Sequence, residues 1–479
     1  MATLSTTSFF LSSSLLMFFL LCSSKEGYAL EGRRITERHL LQHTHITFEI
    51  SSLLPASVCS PSPKGNKRAS LKLIHRYGPC SQMGQDKANG PAAAQILSSD
   101  QSRVDSIQSR LSTKNGFQDS KATLPANSGR ALGTGSYFVT VRLGTPPKEL
   151  SLIFDTGSDF TWTQCQPCLG SCYEQKQAIF DPSQSSTYSN ITCNSAQCSQ
   201  LRPSTNISPR CSSGNTCIYG LQYGDRSFSV GYFGKEKLTL TSTDVIHDFL
   251  FGCGQDNEGL FSGTAGILGL GRNQLSIVSQ TSQKYGKYFS YCLPSSSSSS
   301  GFLTLGNSRV SSNVKFTPLL TKPEGPAFYF IEIEAISVGG KTLSIDKSVF
   351  STAGSIIDSG TVITRLPPSA YSALRTAFTQ QMTKYPMAQP ISIFDTCYDF
   401  TNYTTVSLPV ISFSFSGGVN ADIQSGILYF LSRSQACLAF AANRDANTVT
   451  IFGNVQQQTL EVVYDVAGGK LGFGAGKCS

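Results

Sequence analysis

Two short acidic segments carry the most recognisable chemistry of this chain. Asp155 follows the apolar pair Ile153-Phe154 and precedes Thr-Gly-Ser. The pattern recurs in the second half, where Asp358 follows two isoleucines and precedes Ser-Gly-Thr. Apolar residues before an acid and a glycine after it are typical of a buried strand that delivers a carboxylate into a tight loop. Two copies of the pattern predict two structurally similar halves.

Two carboxylates held a few ångströms apart can do acid–base chemistry without a cofactor. They cannot both ionise easily, so they share a proton, and their pKa values belong to the pair. One carboxylate then takes a proton from a bound water while the other donates a hydrogen bond to a peptide carbonyl. The water attacks, and the tetrahedral intermediate collapses as a proton passes to the leaving amine. Asp155 and Asp358 are therefore the predicted catalytic residues, and no metal or cofactor is expected.

The scarcity of histidine argues against the other common hydrolytic mechanisms. Beyond residue 125 the only histidine is His247. Serine and cysteine nucleophiles normally need a positioned base, and catalytic zinc normally needs histidine ligands. No glycine-rich phosphate loop precedes a helix with a lysine, so nucleotide chemistry is also disfavoured. Paired carboxylates remain as the best-supported chemistry.

The net charge of +8 is not evidence for nucleic-acid binding once it is located in the chain. Residues 25–125 carry 14 Lys and Arg against 8 Asp and Glu, whereas residues 126–479 carry 24 against 22. The basic excess is thus concentrated in the N-terminal quarter, without a dense Lys/Arg stripe or interleaved aromatics. A nucleic-acid partner is not expected from this distribution.

The elements that position the two acids have β character. Charged residues make up only 14% of the chain and glycine is frequent, which favours an all-β protein. Residues 137–143 alternate as a strand, residues 144–147 form a turn, and residues 150–154 form the strand that leads to Asp155. The apolar, glycine-spaced residues 266–271 have a counterpart at residues 450–455. Each half therefore contains an acid loop, strands and an apolar-glycine strand, which indicates an internal duplication.

The N-terminal quarter differs from the rest of the chain. Residues 1–24 resemble a signal peptide, with cleavage after Ser24 or as late as Ala29, and a plastid transit segment is the alternative. Residues 25–125 are basic and are interpreted either as a linker or as a removable prosegment that covers an acidic cleft. No apolar run reaches 18 residues, so no membrane-spanning helix is predicted. The helical three-and-four spacing predicts one amphipathic helix in this quarter, with apolar positions Ile96, Leu97, Val104, Ile107 and Leu111.

Twelve of the 15 cysteines lie between Cys165 and Cys478. This even number suits six disulfide bridges in an oxidising compartment. Seven of the twelve lie within residues 165–217, which predicts a cross-linked surface insertion. The spacing of Cys165, Cys168 and Cys172 also permits a zinc knuckle, but almost no histidine lies nearby to complete it.

At this point the motifs resemble those of the pepsin-type aspartic proteases, and within them the plant nepenthesin-like subgroup, related to the chloroplast nucleoid DNA-binding-like aspartic proteases. The resemblance covers roughly residues 133–479. It implies an all-β, bilobal fold of two pseudo-symmetric lobes with a few short helices, divided into residues 126–310 and 311–479. It also implies an endopeptidase with an acidic pH optimum, made as a zymogen, that acts on proteins or peptides as a monomer.

The resemblance assigns roles to particular positions. Asp155 and Asp358 correspond to the catalytic pair, one at the bottom of the cleft from each lobe. Tyr223 corresponds to the tyrosine of a β-hairpin flap, and Trp162 to the aromatic residue that supports it. The residues that would support the two acid loops are Thr156, Gly157, Ser158, Ser359, Gly360 and Thr361.

The resemblance also suggests a disulfide pairing, which the spacing alone does not determine. The implied bridges are Cys165–Cys168, Cys172–Cys253, Cys193–Cys217, Cys198–Cys211, Cys292–Cys478 and Cys397–Cys437. Glycosylation triplets begin at Asn190, Asn206 and Asn402 and matter only in the secretory route. The expected location is the apoplast or the vacuole, with the chloroplast as the alternative.

Two other functions remain as alternatives. Some plant proteins of this fold bind and inhibit cell-wall-degrading enzymes, and these typically lack one acid loop, whereas both loops are intact here. Other relatives are plastid proteases with DNA-binding ability, which a dense basic stretch in the mature part would support. No such stretch is visible in residues 126–479.

Overall fold

The structure is a computed structural model, and part of the chain is described in it. The described residues are 44–54, 58–59, 70–81, 93–112, 137–223, 227–259, 261, 263–295, 299–307, 310–476 and 478. The predicted signal peptide, the expected processing region near residue 125 and the flap tip at residues 224–226 lie outside them. Within these ranges no helix is long and apolar enough to cross a membrane.

Thirty strands and a few mostly short helices make up the described chain. The α-helices are Ile50–Leu53, Ala93–Ser112, Ala196–Ser199, Leu201–Thr205, Ile277–Gln280, Ser282–Tyr285, Ser348–Ser351, Pro368–Gln381 and Asn454–Gln457, with a 3₁₀ turn at Pro182–Gln184. The strands are β1 His45–Glu49, β2 Ser70–His75, β3 Tyr137–Leu143, β4 Lys148–Asp155, β5 Trp162–Gln164, β6 Ser189–Asn190, β7 Arg210–Cys211, β8 Cys217–Gln222, β9 Phe228–Thr239, β10 Val245–Glu258, β11 Gly266–Gly269, β12 Tyr288–Cys292, β13 Ser300–Leu305, β14 Lys315–Pro318, β15 Tyr329–Ile331, β16 Ile333–Val338, β17 Lys341–Thr342, β18 Ser355–Ile357, β19 Thr364–Leu366, β20 Met387–Ala388, β21 Cys397–Asp399, β22 Thr405–Pro409, β23 Ile411–Phe415, β24 Val419–Ile423, β25 Leu428–Phe430, β26 Gln435–Leu438, β27 Phe440–Ala442, β28 Thr450–Phe452, β29 Leu460–Asp465 and β30 Lys470–Ala475.

The strands form two lobes joined by a shared sheet, so the predicted all-β, bilobal class is confirmed. One lobe carries Asp155 on the large 15-stranded sheet. The other carries Asp358 on a five-stranded sheet, with two four-stranded sheets beside it. At the junction, β12 pairs with β29 and β29 with β30, so strands from both halves of the chain complete the large sheet.

The two acid loops sit in the same strand arrangement. In the first lobe, β11 runs parallel to β4, with Gly269 opposite Asp155, and antiparallel to β5, which runs parallel to β10. In the second lobe, β28 runs parallel to β18 and antiparallel to β19, which runs parallel to β27. Each acid thus ends a strand whose parallel neighbour is the apolar-glycine strand. The duplication inferred from sequence is present in the backbone pairing.

The N-terminal segment, residues 44–112, packs against both lobes. Strand β1 pairs with β22 in a two-stranded sheet, and β2 pairs with β13 and β3 inside the large sheet. The helix Ala93–Ser112, here called the Arg103 helix, buries Leu97, Val104 and Ile107. These residues join apolar clusters of the Asp358 lobe that include Val362 and Ile356. The amphipathic helix predicted from residues 96–111 is present, and the alternative of a plain linker does not describe it.

The disulfide pairing corrects the expectation drawn from the resemblance. The bridges Cys292–Cys478 and Cys397–Cys437 are present. The expected bridges Cys165–Cys168, Cys172–Cys253, Cys193–Cys217 and Cys198–Cys211 are not, and the structure pairs the same cysteines as Cys165–Cys253, Cys168–Cys172, Cys193–Cys211 and Cys198–Cys217. A seventh bridge, Cys59–Cys80, links two cysteines of the N-terminal segment that were left unassigned.

Strand neighbours explain the corrected pairing. Strands β5 and β10 run side by side in parallel, with Cys253 opposite Thr163, which brings Cys165 and Cys253 to a Cα–Cα distance of 5.2 Å. That distance suits a disulfide. Because Cys165 is held there, Cys168 closes a four-residue loop with Cys172 instead. The register of the sheet determines which cysteines become neighbours, and the spacing of cysteines in the sequence does not reveal that register. Among the described residues no group of three or more His, Cys, Asp or Glu side chains could hold a metal ion.

Candidate active site

Asp155 and Asp358 lie together between the lobes, each where a central strand ends. Asp155 is the last residue of β4, and Asp358 directly follows β18. The side chains are almost fully buried, at 1% and 0% exposure. The structure therefore brings together two residues that are far apart in the chain and were singled out as a carboxylate pair.

The two acid loops brace each other through a reciprocal pair of hydrogen bonds. The backbone N–H of Thr156 donates to Oγ of Ser359 at 3.0 Å, and the backbone N–H of Ser359 donates to Oγ1 of Thr156 at 2.9 Å. Both bonds are buried, and each joins one lobe to the other. This symmetric bracing fixes the relative position of the carboxylates that the loops carry.

Each carboxylate is also oriented within its own loop. The backbone N–H of Gly157 donates to Asp155 Oδ1 at 2.9 Å, and the Ser158 hydroxyl donates to its Oδ2 at 2.6 Å. In the second loop the backbone N–H of Gly360 donates to Asp358 Oδ1 at 3.2 Å. The Thr361 hydroxyl donates to Asp358 Oδ2 at 2.5 Å. Residues at equivalent positions of the two loops thus donate equivalent hydrogen bonds to the carboxylate of their own loop.

Glycine is required at both loops because the carboxylates lie so close to the backbone. A Cβ at Gly157 would stand 2.6 Å from Asp358 Oδ1, and a Cβ at Gly360 would stand 2.5 Å from Asp155 Oδ1. Real Cβ contacts are not this short. Each glycine therefore makes room for the acid of the opposite lobe. The motif glycines are part of the site geometry and not only of the turn.

Buried amides of the helix Asn454–Gln457 support the second loop, and sequence analysis did not identify them. Asn454 Nδ2 donates to the backbone oxygen of Ser359 at 2.9 Å, and Gln457 Nε2 donates to that of Asp358 at 3.3 Å. Both amides are buried. They lie just after the apolar-glycine strand β28. Their position next to this motif is the one feature of the sequence that could have marked them as part of the site.

Arg103 of the N-terminal segment occupies the space between the two carboxylates. Its Nη2 donates to Asp155 Oδ1 at 2.8 Å and to Asp358 Oδ1 at 3.0 Å. Its Nη1 donates to Asp155 Oδ2 at 3.1 Å, and its Nε to Asp358 Oδ2 at 3.0 Å. The guanidinium therefore contacts all four carboxylate oxygens. Sequence analysis expected positive charge over an acidic cleft but did not single out Arg103.

The guanidinium changes the electrostatics of the site. Burial opposes ionisation of the Asp358 carboxyl, but Arg103 and the hydrogen bonds from Thr361 and Gly360 outweigh it. The pKa of Asp358 is consequently held below its ordinary value. In this state the dyad is a counter-charge for an arginine, and the position where a water and a peptide carbonyl would bind is filled.

A second ion pair fastens the Arg103 helix to the Asp358 lobe. Asp100 accepts from the backbone N–H groups of Val362 at 2.6 Å and Ile363 at 3.2 Å. Its Oδ2 also accepts from Arg365 Nη2 at 2.9 Å, and both side chains are buried. Burial raises the pKa of Asp100, although Arg365 and the two N–H groups favour the ionised form.

Trp162 and Tyr223, the two residues that the resemblance assigns to the flap, contact each other. Trp162 is fully buried, and its Nε1 donates to the Tyr223 hydroxyl at 2.9 Å. The Phe261 ring packs edge-on against both rings, with centroid distances of 4.9 Å to Trp162 and 5.5 Å to Tyr223. Trp162 is therefore placed to orient Tyr223 rather than to contact a substrate. The three glycosylation candidates, Asn190, Asn206 and Asn402, are exposed.

Comparison with known proteins gives a consistent set of relatives. Family models described as the N-terminal and C-terminal domains of xylanase inhibitors match residues 137–307 and 328–475. An aspartyl protease family protein of Arabidopsis thaliana is 54% identical over 441 residues, covering 90% of this chain and 93% of the relative. Aspartyl protease AED1 of the same plant is 50% identical and covers 90% and 92%. Nepenthesin-2 of Nepenthes gracilis is 38% identical and covers 72% and 78%.

Solved structures with the same fold include proteins with quite different names. The crystal structure of edgp matches with a TM-score of 0.59 at 22% identity, covering 73% of this chain and 93% of that one. Basic 7S globulin from soybean matches with a TM-score of 0.56 at 20% identity, covering 70% and 92%. At such low identity these similarities establish the fold and no more.

Proposed function

The chain belongs to the plant family of pepsin-like aspartic proteases, and from that premise we propose that it is an aspartic endopeptidase made as a zymogen. One observation carries the proposal: two buried aspartates, one from each lobe, are held together by reciprocal bonds between Thr156 and Ser359. A pair of carboxylates in this position can share a proton and activate a water.

The proposed reaction uses only groups of this chain and a water. Once Arg103 has left, the singly ionised pair accepts a proton from the water while the protonated carboxyl donates to the peptide carbonyl. The water oxygen bonds to the carbonyl carbon, and the C–N bond then breaks as the nitrogen gains a proton from the dyad. The hydroxyls of Ser158 and Thr361 keep the carboxylates oriented throughout.

Arg103 supports the zymogen part of the proposal. Its guanidinium takes the place of the water and the carbonyl, so the unprocessed chain is inactive while the Arg103 helix stays bound. Strand pairings by β1 and β2 hold the same segment to both lobes. We propose that residues 25–125 are a prosegment that cleavage and acidification remove.

The alternative function is that of a non-catalytic binding protein. The matching family models are named for xylanase inhibitors, which gives this alternative its support. Against it, both acid loops and their bracing hydroxyls are intact in this chain. DNA binding in a plastid has no comparable support from the described residues.

A secreted or vacuolar location is part of the proposal. Seven disulfide bridges favour an oxidising compartment, and three exposed Asn-x-Ser/Thr sites are available for glycosylation there. Expression of the full chain in plant cells, followed by sequencing of the mature N-terminus and by glycosidase treatment, tests this. A mature protein recovered from chloroplasts, without glycans, would contradict it.

Activity is tested on the full chain after processing at about pH 3–5, where a shared-proton dyad is singly ionised. The assay measures cleavage of a denatured protein with and without pepstatin. We expect Asp155→Asn and Asp358→Asn each to lose at least about 100-fold in rate. Asp248→Asn, which removes only an exposed ion pair with Lys235, is the matched control. Cleavage that survives either dyad substitution would refute the assignment of the dyad, whereas no cleavage by the processed wild-type protein would favour the binding-protein alternative.

A further inference from the structure

Arg365 is a charged residue deep in the Asp358 lobe whose carboxylate partner comes from outside that lobe. It lies on β19, and its side chain is 1% exposed. Within the described part of the chain, the acidic group that it contacts is Asp100 of the Arg103 helix, at 2.9 Å. Removal of residues 25–125 would therefore take away the counter-charge of a buried guanidinium.

The surroundings of the Asp100 carboxylate form a built anion site. Three donors converge on it: Arg365 Nη2 and the backbone N–H groups of Val362 and Ile363. All three donors belong to the lobe and none to the helix. Such a combination of a guanidinium and two backbone N–H groups fits a carboxylate in bidentate fashion.

The arginine also has unused capacity. Its Nη1 donates to the backbone oxygen of Ile363 at 2.8 Å, and Nη2 lies 3.4 Å from Gln101 Oε1. Its Nε is buried and has no hydrogen-bond partner among the described residues. The Arg365 side chain also lines a cavity of about 240 Å³, which lies between the Arg103 helix and the loop that carries Asn443. The site therefore has both a free donor and space beside it.

We propose that Arg365, with the N–H groups of Val362 and Ile363, is a carboxylate-binding subsite of the processed protein, and that it selects substrates with an acidic side chain. The inference rests on the proposed peptidase function. In the unprocessed chain Asp100 occupies the subsite, in the same way that Arg103 occupies the dyad. A buried, unpaired guanidinium is strongly destabilising, so an entering carboxylate gives Arg365 a counter-charge that the lobe alone does not supply.

The subsite lies close to the position of bond cleavage. Val362 directly follows Thr361, which donates to Asp358. Asp100 precedes Arg103 by three residues of helix, a rise of roughly 4.5 Å. An extended peptide covers that distance in one to two residues at about 3.3 Å each. The acidic side chain is therefore expected within two residues of the scissile bond, on one side of it only.

The first experiment profiles cleavage by the processed wild-type protein. A proteome-derived peptide mixture is digested, and the products are sequenced by mass spectrometry. We expect Asp and Glu to be enriched at least about threefold at one position within two residues of the cut. For a matched synthetic pair, replacing that acid by its amide should lower kcat/KM at least about tenfold. Cleavage without such enrichment, or with equal kcat/KM for the pair, overturns the subsite.

Variants of Arg365 assign the preference to this residue. Arg365→Gln should lower kcat/KM for the acidic peptide to that of its amide counterpart, and Arg365→Lys should restore part of the difference. An unchanged preference in Arg365→Gln overturns the proposal. If Arg365→Gln does not fold, the Asp/Asn peptide pair on the wild-type protein, together with Arg365→Lys, still decides the question.

A binding experiment separates failure of the subsite from failure of the proposed function. Fluorescent peptides of residues 93–112, with Asp or Asn at position 100, are titrated into the processed protein by anisotropy. We expect binding at least about tenfold weaker for Asp100→Asn and within twofold for Asp105→Asn, whose ion pair with Arg444 is exposed. Equal binding of the first pair, or no binding of either, overturns the subsite. A protein that cleaves nothing but shows the tenfold difference has the subsite without the activity.

Discussion

The two acid loops share one strand arrangement but differ in how the chain just after each loop satisfies its polar groups. In the first lobe, Asp159 accepts from the backbone N–H of Asn273 at 3.0 Å and from its Nδ2 at 2.6 Å. In the second, the backbone N–H groups of Val362 and Ile363 donate to Asp100, which belongs to the N-terminal segment. The polar groups after the first loop are therefore satisfied within its own lobe, whereas those after the second are satisfied by a carboxylate of the N-terminal segment.

The difference shows that the Arg103 helix acts mainly on the Asp358 lobe. The apolar residues of the Arg103 helix pack against the Asp358 lobe, and so does its second ion pair. Only Arg103 reaches across to Asp155. The Arg103 helix therefore contacts mainly the Asp358 lobe, whereas β2 of the same N-terminal segment is a strand of the large sheet that carries Asp155. Four predictions examine this contrast, from the largest expected effect to the smallest.

Removing the carboxylate of the N-terminal segment should cost more than removing the one within the first lobe. Asp100→Asn in the unprocessed chain leaves the Arg365 guanidinium buried without a counter-charge, which costs about 3–5 kcal/mol. Asp159→Asn keeps its lobe partners and should cost about 1–2 kcal/mol. Denaturant unfolding of both variants gives the comparison. Equal losses in the free energy of unfolding would show that the two loops depend equally on these carboxylates. Burial raises the pKa of Asp159 from 3.8 to about 6, so its contribution to stability is full below pH 3.8 and is lost as the pH rises to about 6, and the Asn variant gains relative stability over that range.

Arg103→Gln should release the dyad without removing the helix. The substitution removes charge-assisted bonds worth about 1.5–3 kcal/mol, so the uncovered state becomes about ten- to hundredfold more populated. Peptidase activity of the unprocessed chain, measured before any cleavage of the segment, should rise by that factor. Asp105→Asn on the same helix is the control, because its partner Arg444 is exposed. No increase for Arg103→Gln would place the block to activity elsewhere.

Acidification should release the segment through Asp358 and not through Asp100. The pKa of Asp358 is held below its ordinary value of 3.8, so its contribution to helix binding is present above that pH and lost as the pH falls through the lowered pKa. The pKa of Asp100 is raised, so its contribution persists at low pH and opposes release. Processing followed by gel electrophoresis should therefore accelerate below about pH 4.

The matched variants locate this pH dependence. Arg103→Gln should flatten the dependence and move what remains of it toward higher pH, because Arg103 holds the pKa of Asp358 below its ordinary value. Asp100→Asn should speed processing where Asp100 is ionised and change it little at low pH, where the raised pKa already keeps Asp100 neutral. A transition that moves with Asp100→Asn alone would contradict the assignment to Asp358.

The smallest effect concerns the bonds that both lobes share equally. Thr156→Ala and Ser359→Ala each remove one acceptor hydroxyl of the reciprocal pair. Each should reduce the free energy of unfolding by about 1–2 kcal/mol because a buried N–H group loses its partner. The two losses should agree within experimental error, measured by denaturant unfolding of the unprocessed chain. Clearly different losses for the two variants would mean that the lobes also differ in how they stabilise the reciprocal hydrogen bonds between them.

Sequence alone determined the parts of this protein that repeat or have a regular spacing. The two acid loops, the apolar-glycine strands and the helix near residues 96–111 depend on neighbours within a few positions, and such local patterns can be recognised directly. The all-β class followed from composition and strand patterns, the two halves from the repeated acid loops, and the bilobal fold from the family resemblance. The meeting of Asp155 and Asp358 at the bottom of one cleft was implied by the family resemblance that these loops carry.

Only the tertiary structure decided which distant residues meet. Arg103 is 255 positions from Asp358, and Asp100 is 265 positions from Arg365, and neither spacing has a signature. The cysteines show the same limit. The register of β5 and β10 places Cys165 next to Cys253, whereas the family resemblance suggested the bridge Cys165–Cys168. Local preferences shape each element, whereas pairings between elements depend on how buried surfaces and charges fit once the chain is folded.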